Sequence, residues 1–259
     1  MDKKSATESS VKVLDKSLSI LEILADSAVE IDLSTLTKQT RIPKSTLLRL
    51  LNTLKNHNFV LQDPQSRRFG LGWALIYLGK AAEKSFDLIN VVHPLLEDLA
   101  SRTGETVSLV LRDGDHAVYV DQVVSSSIIR GNPPIGTPLH LHCTASGKVL
   151  LSAFTTKDFE SFIKRSKLVK KTEKSIVDPL ILQEEIKRIQ KQGYAFDDEE
   201  TEIGGRCVAA PVLNKEGQIV ASISAVGPST RIRQSDLASL AAVVKRAADQ
   251  ASAALGFKI

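Results

Sequence analysis

Residues 33–56 read LSTLTKQTRIPKSTLLRLLNTLKN, and this stretch decides how the amino-terminal part of the chain folds. Two runs with leucines at helical spacing flank Arg41-Ile42-Pro43, and a proline keeps the residue before it out of helical dihedral angles. Asp32 is a natural N-cap for the first run, and Pro43 or Lys44 opens the second. The spacing therefore predicts two short helices that are joined by a tight turn.

The second of these helices is predicted to have two chemically different faces. Its buried stripe is expected to consist of Leu47, Leu48, Leu50, Leu51 and Leu54. The side chains on or near its opposite face are Lys44, Ser45, Thr46 and Arg49. A recognition helix of a helix–turn–helix needs base- and phosphate-contacting side chains at such positions.

The basic charge of the chain is concentrated around this helix. Residues 38–70 hold seven lysines and arginines and one acid, Asp63, a net charge of +6, whereas the whole chain carries only +4. Such a localised positive surface favours binding to the phosphates of double-stranded DNA. No aromatic residue lies among the basic residues of the helix, which argues against a stacking surface for single strands.

The segments on either side extend the helix–turn–helix. Residues 13–25 are predicted to form a first helix, with a stripe made of Val13, Leu14, Leu18, Leu21 and Leu24. After the recognition helix, FVLQDPQSRRFGLG has two short β-rich runs around Asp63–Ser66, which predict a hairpin. A hairpin that follows a helix–turn–helix is called a wing. Arg67 and Arg68, placed on the return strand, are expected to contact phosphates rather than bases.

The remainder of the chain predicts a connector and a mixed α/β region. Residues 73–102 are mainly helical with a break near Ser85–Asp87, and 73–85 are expected to connect two domains. Turn residues predict hairpins around 113–115 and 214–217, with Ile128–Arg130 continuing the sheet. Helices are expected at 157–165, 179–192 and 234–255, and after Thr144, which caps ASGKVLLSAF.

Composition restricts the class of protein. The chain has 259 residues, 42% hydrophobic and 25% charged, as in an ordinary soluble protein, and no apolar run approaches the ~20 residues that span a bilayer. The segment MDKKSATESSVKV lacks the apolar core of an export signal. With only two cysteines, we expect reduced thiols, a cytoplasmic location, no membrane partner and no cofactor.

Three stretches together carry a resemblance to a known family. KSTLLRLLNTL resembles the winged DNA-binding domain of IclR-type bacterial regulators, PIGTPLHLHCTASGKVLLS resembles that family's loop–helix motif, and GYAFDDEETEIGGRCVAAPV with ASISAVGP resembles its second signature. The resemblance covers the chain from about Val13 to Gly256.

The resemblance implies an α+β protein with three parts. These are a winged helix–turn–helix in residues 11–72, a connector helix in 73–86, and a GAF-like effector domain with a mainly antiparallel sheet in 87–259. Its function would be that of a DNA-binding repressor, a homodimer or homotetramer, which binds operator DNA under the control of a small organic acid.

The resemblance also implies an effector site. The positions that match the family's pocket are Ile128, Leu139, Ala145, Ser146, Asp197, Gly205, Cys207, Ser224 and Val226. The backbone N–H groups of Ala145 and Ser146 would receive the carboxylate, because the start of a helix presents free donors. Val226 replaces a serine and Gly205 a leucine of the glyoxylate and pyruvate sensors, which predicts a larger, less polar pocket.

Two other sequence patterns suggest different functions. His140, His142, Cys143 and Cys207 suggest a metal site, but no CxxC or HExxH pattern is present, and alternation places Cys143 on the other face from the histidines. Ser146-Gly147-Lys148 lacks the preceding glycines of a phosphate loop. A ligand- or metal-binding enzyme built on the carboxyl-terminal domain is therefore the alternative, and a non-enzymatic regulator is preferred.

Overall fold

The computed structural model describes residues 11–27, 29–84 and 87–258, and the chain divides into two units, residues 1–85 and 86–259. The predicted helix break near Ser85–Asp87 falls largely outside the described residues. No helix among the described residues has both the length and the apolar character that a membrane crossing requires.

The first unit is a winged helix–turn–helix. Its elements in chain order are α1 (Lys12–Ala25), α2 (Leu33–Thr40), α3 (Lys44–Asn56), β1 (Val60–Gln62), β2 (Phe69–Leu71) and α4 (Ala74–Lys84). Its core consists of Ile20, Leu24, Ile31, Leu36, Ile42, Leu47, Leu50, Leu51, Val60 and Phe69.

Local chemistry explains the turn between α2 and α3. The Asp32 carboxylate accepts hydrogen bonds from the N–H groups of Ser34 and Thr35 and so caps α2. Arg41 ends the helix in a left-handed conformation with φ of 55°, and Pro43 then precedes α3. Of the five leucines expected in the buried stripe of α3, Leu48 is exposed, because it lies one position past the core-facing side.

The wing is a short antiparallel hairpin in which Gln62 pairs with Phe69. The Asp63 carboxylate accepts from the N–H groups of Gln65 and Ser66 and stabilises the turn. β2 begins at Phe69, so Arg67 and Arg68 lie at the end of the turn and not on the return strand as predicted. The Asp63 N–H donates to the Arg68 carbonyl and the Arg67 N–H to the Asp63 carbonyl, so both arginines belong to the turn.

The second unit is built on one six-stranded sheet. Its elements are α5 (Asp87–Thr103), β3 (Thr106–Asp113), β4 (His116–Val123), β5 (Pro138–His140), α6 (Ala145–Leu151), α7 (Thr156–Arg165), α8 (Pro179–Gln192), β6 (Ala195–Asp198), β7 (Gly205–Leu213), β8 (Ile219–Pro228) and α9 (Leu237–Ala254). The strand order is β5-β4-β3-β8-β7-β6, and every neighbouring pair is antiparallel.

Alternation along the strands divides the core into two layers. Val208 and Ala210 of β7 pack with α5 and α9 on one face of the sheet, whereas Cys207 and Ala209 face the side of α6. The helices α7 and α8 complete that second layer. The predicted α+β class with an antiparallel sheet is therefore confirmed.

Two details differ from the sequence-based expectations. Residues 128–130 form an irregular loop and do not continue the sheet. Residues 195–198 form the edge strand β6, which its polar sequence AFDD did not indicate. Antiparallel pairing with β7 stabilises this strand and overrides the weak strand preference of its two aspartates.

Candidate functional sites

The exposed face of α3 carries most of the predicted DNA-contacting residues. Lys44, Ser45 and Arg49 are exposed, while Thr46 is half-buried. Asn52 lies about one helical turn beyond Arg49 on the same exposed face. The sequence-based set did not include Asn52, although its spacing from Ser45 and Arg49 places it on this face.

The wing arginines lie beside this helix within the same unit. Arg67 and Arg68 are both exposed, and Arg67 has a left-handed backbone with φ of 59°. The Lys55 ammonium group donates to the Gln62 amide oxygen at 3.2 Å, and the Gln62 amide nitrogen donates to the Arg67 carbonyl at 3.0 Å. This relay links the end of α3 to the turn that carries the arginines.

A cavity of about 530 Å³ lies in the second unit, between α6 and the sheet. Eight of the nine residues predicted for an effector site line it: Leu139, Ala145, Ser146, Asp197, Gly205, Cys207, Ser224 and Val226. Strand register brings several of them together, because Asp197 pairs with Cys207 and Cys207 with Val226. Paired residues share one face of a sheet, so these side chains all face the cavity.

Ile128 is the predicted pocket residue that does not line the cavity. Its side chain is 97% exposed on the loop before β5, and the neighbouring Ile129 forms part of the wall instead. The prediction was wrong by one position, because an irregular loop has no periodicity from which side-chain direction can be read.

The start of α6 forms one end of the cavity. Thr144 caps the helix by accepting from the Gly147 N–H at 3.0 Å. Ser146 is buried, and its Oγ has no hydrogen-bond partner among the described residues. A Cβ at Gly147 would lie 2.6 Å from backbone atoms of Leu141, so only glycine permits this close approach of helix and loop.

A buried ion pair lies behind the cavity wall. Lys148 of α6 is 1% exposed and contacts the Glu200 carboxylate, with the Glu185 carboxylate 3.7 Å away. Burial raises the pKa of Glu200 to about 7, and the Lys148 charge opposes that shift. The second oxygen of Glu200 has no hydrogen-bond partner among the described residues.

Asp197 is the acidic group that lines the cavity most deeply. One of its oxygens accepts from the N–H groups of Glu200 and Thr201, and the other lies 2.7 Å from the Thr201 hydroxyl. Burial raises the pKa of Asp197, and these hydrogen bonds only partly offset it. Burial likewise raises the pKa values of the Cys207 thiol and the Tyr119 phenol. The Cys207 thiol and the Tyr119 phenol therefore favour their neutral forms.

The histidines and cysteines do not assemble as metal ligands. His140 and His142 lie with ring centroids 5.4 Å apart, but His142 Nε2 contacts the Val169 carbonyl, and burial lowers the pKa of both rings. No group of three potential ligands comes together within residues 11–27, 29–84 and 87–258.

Comparisons with known proteins agree on the family. Residues 13–64 match the family described as IclR helix-turn-helix domain, and residues 80–253 match Bacterial transcriptional regulator IclR C-terminal. The acetate operon repressor of Salmonella typhimurium is 35% identical over 248 residues, which cover 95% of this chain and 90% of the repressor.

Solved structures give the same result. The Thermotoga maritima IclR superposes with a TM-score of 0.81 at 31% identity, covering 95% of this chain and 99% of that one. An IclR homologue from Microbacterium hydrocarbonoxydans, solved with 4-hydroxybenzoate, has a TM-score of 0.83 at 19% identity, with 94% and 98% covered, and shares the fold.

The winged helix and the second, cavity-bearing unit thus define a two-domain type of transcriptional regulator, and the chain belongs to the IclR family. It is an IclR-type DNA-binding transcriptional repressor. The family and the named relatives are regulators and not enzymes, so the alternative of an enzyme is not supported.

Proposed function

We propose that a small organic carboxylate binds in the cavity of the second unit and controls binding of the repressor to operator DNA. The observation that carries this proposal is the buried Ser146 hydroxyl, which has no partner in the part of the chain that the structure describes and lies in the first turn of α6. A buried hydroxyl without a partner is costly, and a bound carboxylate would satisfy it.

The charges of the wall support this position for the carboxylate. The Arg206 guanidinium donates to the Asp198 carboxylate at 2.6 Å and to the Ile232 carbonyl at 2.9 Å. Arg130 donates to the Ser127 carbonyl at 2.8 Å. Arg206 is thus paired with a carboxylate and Arg130 is an exposed residue at the rim, so the buried start of α6 is proposed as the anion-binding point.

The rest of the cavity suits an apolar body on the ligand. Gly205 and Val226 contribute no polar side-chain atom, and Leu139 adds an aliphatic wall. A volume of about 530 Å³ is within the range of pockets that hold drug-sized molecules and exceeds what a two- or three-carbon acid would fill. We therefore propose an aromatic or sugar acid as the effector class.

The DNA surface is proposed to be the exposed face of α3 together with the wing. The contacting set would include Lys44, Ser45, Thr46 and Arg49, with Arg67 and Arg68 on phosphates. Asn52 is added to the set, because its amide can pair with the edge of adenine in the major groove. A repressor acts on the chromosome, so we place the protein in the cytoplasm.

The control of DNA binding by the effector is tested by fluorescence anisotropy. The purified protein is titrated onto DNA from upstream of its own gene, with and without each member of a carboxylate panel. Because linkage is reciprocal, a carboxylate that shifts DNA affinity must itself bind with altered affinity when DNA is present. A protein whose DNA affinity ignores every carboxylate that binds it would contradict the proposal.

Gly205→Leu is expected to lower the affinity for a large carboxylate by about tenfold or more. The affinity for acetate or glyoxylate should stay within about twofold of the wild-type value. A Cβ at Gly205 would lie 3.4 Å from the Glu202 carbonyl oxygen, an ordinary contact, so the larger side chain enters the cavity without a backbone clash. Thermal shift and calorimetry with 4-hydroxybenzoate as the large probe measure the difference.

Gly205→Ala is the matched control for this variant. It adds only the tolerated Cβ and is expected to bind both ligand classes as the wild type does. The proposal of a large pocket is wrong if the wild type responds only to glyoxylate-sized acids and Gly205→Leu responds identically.

A homodimer, associating further into a tetramer, is proposed from exposed apolar side chains of the first unit. On and before α4 these are Trp73, Ile76, Tyr77 and Leu78, and on α1 they are Val13, Leu14 and Leu18. The predicted stripe of α1 is therefore uncovered over its first half in the single chain. A single winged helix also makes too few contacts to select one site in a genome.

Ile76→Asp is expected to shift the protein toward its 28.2 kDa monomer, because it places a charge in the proposed apolar interface. Sedimentation velocity at micromolar concentration measures the species present. Leu180→Asp is the control, since Leu180 is 73% exposed on α8 outside the proposed interface. A wild type that sediments only as a monomer refutes the proposed assembly.

A further inference from the structure

A second concentration of positive charge lies in the second unit. Residues 164–174 read KRSKLVKKTEK and hold six lysines and arginines and one acid, Glu173, a net charge of +5. The whole chain carries only +4, so this basic segment alone exceeds the net charge of the protein. Its residues neither line the cavity beside α6 nor belong to the winged helix, so neither ligand binding nor operator recognition explains them.

The basic segment is a loop that is anchored to the body of the second unit. Residues 166–174, which follow α7, form neither helix nor strand. His142 Nε2 lies 3.0 Å from the Val169 carbonyl oxygen. The Thr172 hydroxyl donates to the Glu199 carbonyl at 2.7 Å. A backbone that is already fixed presents its side chains to a partner at a lower entropic cost than a flexible loop does.

Carboxylates neutralise only half of the six cations in the basic segment. Three cations are paired: Arg165 with Asp115, Lys170 with Glu173, and Lys174 with Asp198 and Glu199. The other three are Lys164, Lys167 and Lys171, which we call the lysine strip. All three are exposed, and none forms a salt bridge in the part of the chain that the structure describes.

Two other exposed lysines of the second unit are paired with carboxylates and provide a comparison. Lys187 contacts Glu184 at 2.7 Å. Lys215 contacts Glu216 at 3.6 Å. A paired ammonium group contributes little to the field around the protein, whereas three unpaired ammonium groups within residues 164–171 produce a positive potential that attracts a polyanion.

The lysine strip suits the phosphates of double-stranded DNA. An ammonium group binds a phosphate as a point charge and reads no base. The basic segment has no aromatic side chain on which the bases of a single strand could stack. Because the protein is a DNA-binding repressor whose units are covalently joined, bound DNA is present at a high effective concentration for both units.

We propose that the lysine strip is a second DNA-contacting surface of the repressor, whose ammonium groups bind backbone phosphates of duplex DNA without regard to sequence. The contact increases the affinity for DNA and its dependence on salt, and it leaves base recognition to the winged helix. It requires neither an effector nor any single contact of α3, so its test succeeds or fails separately from theirs.

The full chain with Lys164→Gln, Lys167→Gln and Lys171→Gln combined, the strip variant, tests this contact. Glutamine keeps an exposed polar side chain, so the fold should be retained while three charges are lost. Fluorescence anisotropy with a random-sequence duplex of about 40 base pairs, from about 50 to 200 mM salt, measures affinity and its salt dependence. Each phosphate contact contributes about 0.9 to the slope of log affinity against log salt concentration, so the slope should fall in magnitude by about two to three. Affinity at about 100 mM salt should fall by about tenfold or more.

The matched control combines Lys187→Gln, Lys191→Gln and Lys215→Gln. It removes three exposed lysines from the same unit and changes the net charge of the protein by the same amount. Its salt slope should stay within about one of the wild-type value. Equal slopes for the wild type and the strip variant, or equal reductions in the strip variant and the control, would overturn the proposal.

Acetylation of lysines in the wild type, read by mass spectrometry, gives a measurement that does not depend on any variant. With saturating duplex DNA, the lysine strip should react several times more slowly than in the free protein. The three lysines of the control should react at the same rate with and without DNA. A lysine strip that reacts equally in both conditions overturns the proposal.

Poly-glutamate distinguishes DNA from an acidic protein as the partner of the lysine strip, because it presents carboxylates in place of phosphates. Anisotropy of labelled poly-glutamate is measured with the wild type and the strip variant under the same salt conditions. The expected result is a loss of affinity for duplex DNA that exceeds the loss for poly-glutamate. A loss for poly-glutamate that equals or exceeds the loss for DNA would assign the strip to an acidic protein and overturn the proposal.

Discussion

Lys148→Met is expected to lower the free energy of unfolding of the second unit by about 3–5 kcal/mol, the largest effect of any single change considered. Removing the cation leaves the Glu200 carboxyl group buried without its partner, and Glu200 already has an oxygen that lacks a hydrogen bond among the described residues. Urea unfolding of the full chain, with hydrogen exchange of β7 and β8 to assign the transition, measures the loss.

The loss should depend on pH in a defined direction. Glu200 has a pKa of about 7 with Lys148 in place, and removing that charge raises it further. Above about pH 7 the variant then keeps a proton that its unfolded state has lost, so its stability falls relative to the wild type. The difference in unfolding free energy between the wild type and Lys148→Met should therefore increase as pH rises.

Two further variants make the result interpretable. Lys148→Met with Glu200→Gln removes both charges and should recover much of the stability. Lys187→Met breaks the exposed pair with Glu184 and should change the unfolding free energy by less than about 1 kcal/mol. If Lys148→Met costs no more than Lys187→Met, the buried pair does not stabilise the fold as argued.

Arg49→Ala is expected to weaken operator binding by about 1–3 kcal/mol without unfolding the first unit. Arg49 is exposed on α3, so its side chain is available for interaction and contributes little to packing. Fluorescence anisotropy across a range of salt concentrations measures both affinity and salt slope. A lost phosphate contact lowers the slope of log affinity against log salt concentration by about one. A lost base contact instead relaxes specificity at one base pair of the operator.

Arg246→Ala is the control for the change in net charge. Arg246 is exposed on α9 in the second unit, and its removal should leave operator affinity nearly unchanged. Equal affinities of Arg49→Ala and the wild type at moderate salt would remove Arg49 from the contacting set.

Local sequence signals identified most elements of this protein. Asp32, Thr144 and Gly193 mark helix ends in the sequence and cap helices in the structure. The turns at 113–115 and 214–217 are rich in Asp, Asn and Gly and join antiparallel strands. Such signals succeed because a cap or a tight turn depends on a few neighbouring residues.

Contacts between distant parts of the chain carried little signal. The loop that presents Ile129 to the cavity is held by the Arg231 guanidinium, which donates to the Ile129 carbonyl at 2.9 Å. The ion pair of Lys148 and Glu200 joins residues 52 positions apart. None of these partners lies close enough in sequence to produce a pattern.

The sequence by itself determined the helix–turn–helix, the basic face of α3 and, through long motifs that resemble a family, eight of the residues around one cavity. Only the tertiary structure decided which of two adjacent isoleucines lines that cavity, and which buried acid lies against a lysine. Burial and long-range contacts set the free energy of a charge, and both depend on the assembled core rather than on neighbouring residues.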